Sequence, residues 1–156
     1  MRLTTFSDYA LRLLILCADK AEGQVTIAEA AEAYRISKNH LMKVANELVR
    51  AGFLSSTRGR GGGLRLAMPA DQIRIGAVIR HIEGSPGLVE CMTGKNACVI
   101  TSACKLKGLL ASALQDFFNK LDSATLADLA SGPSSLRPAR VPAQKKRAGE
   151  IPPFSF

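Results

Sequence analysis

Two helices joined by a tight turn constrain the fold of this chain more than any other feature of its sequence. Thr26 and Glu29 have the three-residue spacing of a capping box, which predicts that a helix begins here and runs to Tyr34. Ser37 then caps a second predicted helix at residues 38–51, whose apolar side chains recur every three or four positions. This arrangement is typical of a helix-turn-helix.

The residues that follow predict a small hairpin. Residues 53–57 and 64–67 have the composition of two short strands, and the run Arg58-Gly-Arg-Gly-Gly-Gly63 joins them. A strand, a basic glycine-rich tip and a second strand directly after a helix-turn-helix are the layout of a winged helix. The run lacks the Lys-Ser or Lys-Thr pair and the following helix of a P-loop, which argues against a nucleotide site.

Helical periodicity extends on both sides of this unit. Residues 4–20 and 73–83 predict amphipathic helices, residues 102–121 predict a long one, and residues 125–130 predict a short last helix. The fold class is therefore mainly α, a winged helix-turn-helix followed by a long helix. The apolar stripe of the long helix is wider than the small winged-helix unit before it (the head) can cover. We therefore expect the long helix to be a dimerisation helix that packs against a second copy of the chain.

The 156 residues divide into four predicted parts. Residues 1–84 form a winged-helix DNA-binding domain, and residues 85–105 form a cysteine-containing loop. Residues 102–131 form the dimerisation helix and the short C-terminal helix. Residues 132–156 are rich in Pro, Ser, Lys and Arg and lack apolar periodicity, so they predict a disordered basic tail.

Charge favours a polyanionic partner for the front of the chain. The formal net charge is +8, and residues 1–75 carry 11 Lys and Arg against 7 Asp and Glu, whereas residues 76–131 are balanced. Nucleic acid is the partner that this distribution favours.

No apolar run approaches the roughly 20 residues of a membrane span, and no signal peptide is recognisable, so we expect a cytoplasmic protein without a membrane partner.

The second helix of the helix-turn-helix supplies the candidate DNA-binding residues. Residues at the N-terminus of such a helix reach base edges in the major groove. Here they are Ser37, Lys38, Asn39 and His40, and Lys43 lies one turn later, toward phosphate. Asn pairs bidentately with adenine, and Lys contacts guanine or phosphate.

The wing adds two basic candidates, Arg58 and Arg60. A narrow minor groove attracts arginine, so both could enter one. The alternative for wing and helix alike is a non-DNA-binding scaffold, in which the helix face is merely solvated and the hairpin is ordinary. A steep salt dependence of sequence-selective binding separates the two, since contacts to phosphate weaken as salt rises.

Three cysteines, Cys91, Cys98 and Cys104, lie within fourteen residues. A structural zinc site would show paired C-x2-C spacing and a fourth Cys or His, and neither is present. A disulfide between Cys91 and Cys98 can form but leaves one thiol over. An iron–sulfur cluster needs about four ligands, of which this loop supplies three, so a weaker ligand elsewhere would leave one iron open to a small molecule. The cluster and the metal-free redox switch both remain open at this point.

The remaining candidate residues predict no catalysis. Cys17 lies on the apolar face of the first predicted helix and is expected to be a small buried hydrophobic residue. His81 is expected to lie at the surface or to have its hydrogen bonds satisfied within the protein. No Ser/His/Asp grouping, paired carboxylates or hydrolase motif is present. The sequence therefore predicts a binding protein and not an enzyme.

Four segments resemble a known family over about residues 1–130. They are Met1-Arg-Leu-Thr-x-Phe-Ser-Asp8-Tyr-Ala-Leu-Arg, Ser37-Lys-Asn-His-Leu-Met-Lys-Val, Arg58-Gly-Arg-Gly-Gly-Gly-Leu-Arg-Leu and Cys98-x-Ile-Thr-x-Ala-Cys104-x-Leu-Lys. Together they resemble the BadM/Rrf family of bacterial transcription repressors, and within it the nitric-oxide-sensing NsrR group.

The resemblance implies a homodimer in which each head binds half of a palindromic operator. It implies a 4Fe–4S cluster, with 2Fe–2S as the alternative, held by Cys91, Cys98, Cys104 and an acidic residue of the partner subunit that Asp8 matches here. Nitric oxide is then the effector, and nitrosylation of the cluster releases DNA. An iron-responsive, RirA-like repressor has a similar loop and is the alternative, while the absence of a nearby His argues against the IscR ligand set.

Overall fold

The structure is a computed structural model that describes residues 2–20, 23–59, 61–84, 87–93 and 96–130. Within those ranges it is mostly helical with one two-stranded sheet, which confirms the predicted fold class. The elements in chain order are α1 (Thr5–Asp19), α2 (Ile27–Tyr34), α3 (Lys38–Arg50), β1 (Leu54–Thr57), β2 (Gly63–Leu66), α4 (Ile75–Glu83), α5 (Lys105–Asp122) and α6 (Leu126–Ala130).

The helix-turn-helix has the caps that its sequence predicts. The Thr26 hydroxyl accepts a hydrogen bond from the Glu29 amide at 3.1 Å, and the Glu29 carboxylate accepts one from the Thr26 amide at 2.8 Å. The Ser37 hydroxyl accepts from the His40 amide at 3.2 Å and begins α3. Between the helices, Arg35 has a left-handed backbone with φ of 54°, a conformation that a residue with a side chain seldom adopts.

The wing is an antiparallel hairpin in which Leu54 pairs with Leu66 and Thr57 with Gly63. Strand β2 is bridged on its other side by Val25, through two backbone hydrogen bonds of 2.8 Å between Val25 and Leu64. A side chain at position 63 would stand 3.0 Å from the Val25 carbonyl oxygen, so the close approach favours glycine. The wing is thus attached to the segment that leads into α2.

Helix α1 lies at the centre of the head and contacts α3, α4, α6 and β2. It buries Ala10, Leu13, Leu14 and Cys17 on one face, at intervals of three and four residues. The side chains that complete the core come from every other element, and they include Val25, Ala30, Leu41, Val44, Leu48, Leu54, Leu64, Ile73, Val78, Ile79, Phe118 and Leu126. The expected burial of Cys17 is confirmed.

Helices α4 and α5 are joined by one charged pair and one close backbone approach. The Arg80 guanidinium forms a two-pronged ion pair with the Asp122 carboxylate and lies 4.5 Å from the centre of the Phe118 ring. A side chain at Gly76 would stand 3.1 Å from the Asp122 amide nitrogen and still closer to its carboxylate. The C-terminal half of α5 is therefore held against the head, while Leu106 and Leu109 in its first half are exposed.

Two predicted helices begin later than expected. The helix predicted from residue 73 begins at Ile75, because Arg74 is extended and bridges to Thr125. The helix predicted from residue 102 or 103 begins at Lys105, because the backbone of Cys104 is still extended at φ of −80° and ψ of 105°.

No helix among the described residues has the length and hydropathy needed to cross a membrane. Arg60, residue 131 and the predicted tail at 132–156 lie outside the described residues.

Candidate nucleic-acid interface and cysteine loop

Helix α3 separates a buried face from an exposed one. Leu41, Val44, Ala45 and Leu48 are buried against the core, which fixes the rotation of the helix. The predicted DNA-contacting residues Ser37, Lys38, Asn39, His40 and Lys43 are all exposed. Sequence periodicity and packing therefore agree on which side of α3 is free to enter a groove of DNA.

These residues differ in whether their side chains already make contacts within the protein. Within the described residues, the side chains of Lys38, Asn39 and Lys43 form no hydrogen bond or ion pair. By contrast, the Ser37 hydroxyl caps α3, and the His40 ring lies 6.4 Å from the Tyr9 ring of α1. Lys38, Asn39 and Lys43 are thus free to bind a ligand, whereas Ser37 and His40 also have structural roles.

Sequence reasoning missed two residues on this face. Met42 is 48% exposed, and Asn46 is exposed one helical turn beyond it. Both follow Asn39 at helical intervals of three and seven residues, so they share its side of the helix. That spacing could have identified them from the sequence, because the buried positions around them were already predicted.

Within the described residues, the tip of the wing carries Arg58. Arg58 directly follows β1 and is exposed, while Arg60 lies outside the described residues. The chain turns at Gly59 and Gly61, whose φ angles of 99° and 81° favour glycine. Further down the hairpin, the Arg65 guanidinium donates a hydrogen bond to the Ser55 hydroxyl at 3.2 Å.

Asp8 lies in the first turn of α1, next to the wing-bearing head but far along the sequence from the cysteines. Its carboxylate forms an ion pair with Arg12 at 2.8 Å, one helical turn away, and both side chains are about half exposed, at 47% and 46%. An oxygen donor on the surface and already oriented by a neighbouring cation can still bind a group presented by another molecule.

The N-terminus of α1 is held by the last residue of α4. The Glu83 carboxylate accepts hydrogen bonds from the Thr4 amide and the Thr4 hydroxyl, each at 2.8 Å, and from the hydroxyl of the buried Ser7. Partial burial would raise the pKa of Glu83, but the hydrogen bonds from Ser7 and Thr4 outweigh it and lower that pKa. Glu83 is also close in sequence to the predicted cysteine loop, which starts at residue 85.

The three loop cysteines are half-buried free thiols. Cys91 lies in a 3-10 turn, Glu90–Met92, which contacts α5, and Cys104 immediately precedes α5. The Cys98 amide donates a hydrogen bond to the Asn96 side chain at 3.0 Å, and the Cys98 carbonyl accepts one from the Thr101 hydroxyl at 2.7 Å. Cys98 is therefore held locally by short-range turns, and Val99 beside it is 95% exposed.

The donor set fits an iron–sulfur cluster in chemistry but is not assembled within one chain. Thiolates are the ligands such clusters prefer, and none of the three thiols is consumed by a disulfide. Among the described residues, however, no three His, Cys, Asp or Glu side chains lie close enough to hold one metal ion. The structure does not bring Cys91, Cys98 and Cys104 together, and Asp8 of the same chain does not join them, so the ligand assignment stays a prediction.

Two other residues singled out in the sequence have structural roles. Burial raises the pKa of the Cys17 thiol to about 12, which keeps it protonated and unreactive. His81 is exposed at the side chain, as expected, but it also pairs with Glu47 of α3 at 2.9 Å and stacks edgewise on Phe53. It links α4 to the C-terminal end of α3.

Comparison with known proteins places these features in context. A family model named Rrf2 and described as an iron-dependent transcriptional regulator matches residues 3–132. Among solved structures, CymR, the global cysteine regulator of B. subtilis, is 30% identical with a TM-score of 0.66, covering 84% of this chain and 97% of that one.

Two further structures are similar. The oxidized form of Staphylococcus aureus CymR is 30% identical with a TM-score of 0.68, covering 85% of this chain and 98% of that one. T. potens IscR is 28% identical with a TM-score of 0.66, covering 83% and 85%. The family match at residues 3–132 spans the winged head, the cysteine loop and the helices that follow.

Proposed function

The chain belongs to the Rrf2 family of transcriptional regulators, and we propose that it is a cytoplasmic, homodimeric repressor whose iron–sulfur cluster senses nitric oxide. In this proposal each winged head binds half of a palindromic operator. Binding of nitric oxide lowers the affinity for DNA and so derepresses the target genes. DNA-binding regulation is the function of the family, whereas the cluster, the effector and the homodimer are parts of the proposal.

The exposed face of α3 is the observation that carries the DNA-binding part. Lys38, Asn39 and Lys43 project from it without partners in the described residues, at the end of the helix that enters the major groove in helix-turn-helix proteins. Arg58 lies at the tip of the wing, where it can reach the flanking groove. Amide and cationic donors on a rigid helix are suited to base edges and phosphates.

The three free thiols support the cluster part. Cys91, Cys98 and Cys104 would supply three thiolates, and Asp8 of the partner subunit would supply the fourth, oxygen ligand. When bound, such a cluster supplies iron that reacts with nitric oxide. Arg12 orients the Asp8 carboxylate, and the weaker oxygen ligand leaves one position easier to open than a fourth thiolate would.

Helix α1 provides a route from Asp8 to the DNA-binding face. Its N-terminus is fixed by Glu83, and its body packs on α3, where Tyr9 meets His40. A force on Asp8 therefore acts on the same helix that supports the N-terminus of α3. We expect loss of the Asp8 ligand to free α1 and to weaken operator binding through this contact.

Two alternatives differ in the loop alone. A metal-free thiol switch is favoured by the three free thiols of the loop and by an oxidized form among the similar structures. An iron-responsive, RirA-like repressor uses a similar loop and is favoured by the description of the family as iron-dependent. Both retain the winged head and differ from the proposal in what the cysteines bind.

One experiment separates the proposed nitric-oxide sensor from its two alternatives. Full-length protein purified without oxygen is titrated with nitric oxide, while visible absorbance and binding to a duplex selected from a random pool are followed on the same sample. We expect cluster absorbance and operator affinity to fall together. Iron-free protein with full operator affinity indicates the thiol switch, and a response to iron removal without one to nitric oxide indicates the iron-responsive alternative. Equally weak binding to every duplex refutes the repressor.

A further inference from the structure

Met42 is an exposed apolar side chain within the polar face of α3. Six large apolar side chains are strongly exposed in the described residues, and the other five belong to the loop, α5 or α6. Met42 alone among them lies in the head, where it is 48% exposed. Among the described residues, it is not one of the apolar side chains that pack against the core.

Its neighbours define the surface that it joins. Met42 follows Asn39 by three residues and precedes Asn46 by four, so the three side chains are adjacent along one side of the helix. Lys38 and Lys43 flank them, and all five are exposed. The surface is basic and amide-rich with one apolar member, which matches a groove of duplex DNA better than the apolar core of a protein interface.

Met42 also lies on the flank of α3 that faces the wing. It borders a groove of about 290 Å³ that Thr57, Gly59 and Gly62 of the hairpin line on the opposite side. Nearly half of the Met42 side chain is exposed, and an unbranched thioether can adapt to a partner's shape. A base in the major groove next to the one contacted by Asn39 would lie within reach of the Met42 side chain.

Resting on the DNA-binding part of the proposed function, we infer that Met42 is a specificity-determining residue that contacts the 5-methyl group of a thymine in each half-site. Thymine is the base that presents a methyl group in the major groove, and apolar side chains recognise it there. The contact distinguishes thymine from cytosine at a position next to the base that Asn39 reads. It requires no charge and so adds selectivity without adding to phosphate attraction.

The test removes one methyl group at a time. A duplex is first selected from a random pool with the full-length protein, and each thymine of one half-site is then replaced singly by deoxyuridine. With the natural protein we expect one replacement to weaken binding roughly three- to tenfold, as burial of one methyl group implies. With Met42→Ala, the same replacement has no effect, because the partner of the methyl group is gone.

Two control variants keep the result interpretable. Met42→Leu retains an apolar side chain and should retain the sensitivity to methyl removal. Asn46→Ala changes the neighbouring position and should retain it as well. Both Met42→Ala and Met42→Leu place good helix formers at an exposed helical position, so they should fold normally.

The outcomes distinguish this inference from the proposed function. A selected duplex in which no thymine is sensitive to methyl removal overturns the role of Met42 and leaves the repressor intact. Equal sensitivity in the natural protein and in Met42→Ala also overturns it, since another residue then makes the contact. Failure of the pool to yield any preferred sequence removes the DNA-binding proposal itself and this inference with it.

Discussion

The hydroxyl of Ser7, buried in α1, donates a hydrogen bond to the carboxylate of Glu83, 76 residues later at the end of α4. Thr4 adds two more donors to the same carboxylate. The Glu83 carboxylate therefore accepts three hydrogen bonds from the start of α1, the helix that carries Asp8. Glu83 is also the last residue of α4, where the chain leaves the head for the cysteine loop.

Replacement of Glu83 by Gln should lower the free energy of unfolding by roughly 1–3 kcal/mol at neutral pH, because the hydrogen bonds lose their charged acceptor. The folded state lowers the pKa of Glu83, so its stabilising contribution is present above the ordinary value of 4.5 and is lost as pH falls through the folded pKa. The difference between natural protein and variant should be fully present at neutral pH and should shrink as the pH falls from about 4.5 through the folded pKa.

Urea unfolding followed by circular dichroism across that range measures this difference. Glu90→Gln is the matched control, since Glu90 is an exposed carboxylate in the loop and its side chain has no partner among the described residues. It should change stability little at any pH. A Glu83→Gln variant as stable as the control would show that the hydrogen bonds contribute nothing net.

A pair of glycine substitutions tests the contact between α4 and α5. Gly76→Ala forces a methyl group into Asp122 and should destabilise the protein by roughly 1–3 kcal/mol, because the Arg80–Asp122 pair must shift. Gly108→Ala meets open space in α5 and should be neutral or stabilising by up to about 1 kcal/mol, through helix propensity. Thermal unfolding should show a lower Tm for Gly76→Ala and an unchanged or higher Tm for Gly108→Ala, and equal shifts would contradict the close approach.

The exposed start of α5 predicts the dimer interface. Leu109 is 67% exposed, and Leu109→Glu should convert the protein to monomers by placing a charge in an apolar contact. Gln115→Glu introduces the same side chain on the other side of α5 and should leave the association unchanged. Sedimentation equilibrium measures both, and a dimer that survives Leu109→Glu would place the interface elsewhere.

Two substitutions on α3 separate base reading from phosphate binding. Asn39→Ala should weaken operator binding by roughly 1–3 kcal/mol and relax the preference at one base pair. Lys43→Ala should weaken binding to all sequences alike and reduce the slope of log affinity against log salt by about 1. Binding titrations at several salt concentrations check both. An Asn39→Ala variant with unchanged selectivity would remove Asn39 from base readout.

The proposed cluster ligands predict different effects for loss of a cysteine and for loss of Asp8. Cys98→Ala should abolish cluster binding, whereas Asp8→Ala should leave a cluster that assembles but is more labile, because three thiolates remain. Asp19→Ala, at the other end of α1 and exposed, is the control and should behave like the natural protein. Iron content and visible absorbance of anaerobic samples measure the outcome. An unchanged spectrum and nitric oxide response in Asp8→Ala would exclude the cross-subunit ligand.

Local patterns in the sequence predicted the local structure well. The capping box at Thr26 and Glu29 and the cap at Ser37 depend on residues three apart, so they are visible without knowledge of the fold. The rotation of α3 followed from the spacing of its apolar residues, because a core accepts one face of a helix only. The mainly helical winged architecture could therefore be predicted.

Contacts between distant residues could not be predicted in the same way. Nothing local distinguishes Glu83 from other helix-terminal acids, and its three donors lie 76 and 79 residues away in the sequence. The starts of α4 and α5 were placed two or three residues early, because pairing of Arg74 with Thr125 and an extended Cys104 override helix periodicity. The cysteines show the same limit, since their spacing identifies candidate ligands and does not fix their distances.

The bridge between Val25 and Leu64 determines how the head can respond to an effector. Because β2 is held by β1 on one edge and by the segment before α2 on the other, the hairpin has no separate hinge within the described residues. We therefore expect the wing and α3 to move together. A displacement of α3 through α1 would then carry the wing with it and change the distance and angle between the two heads of a dimer, which must match the helical repeat of the DNA.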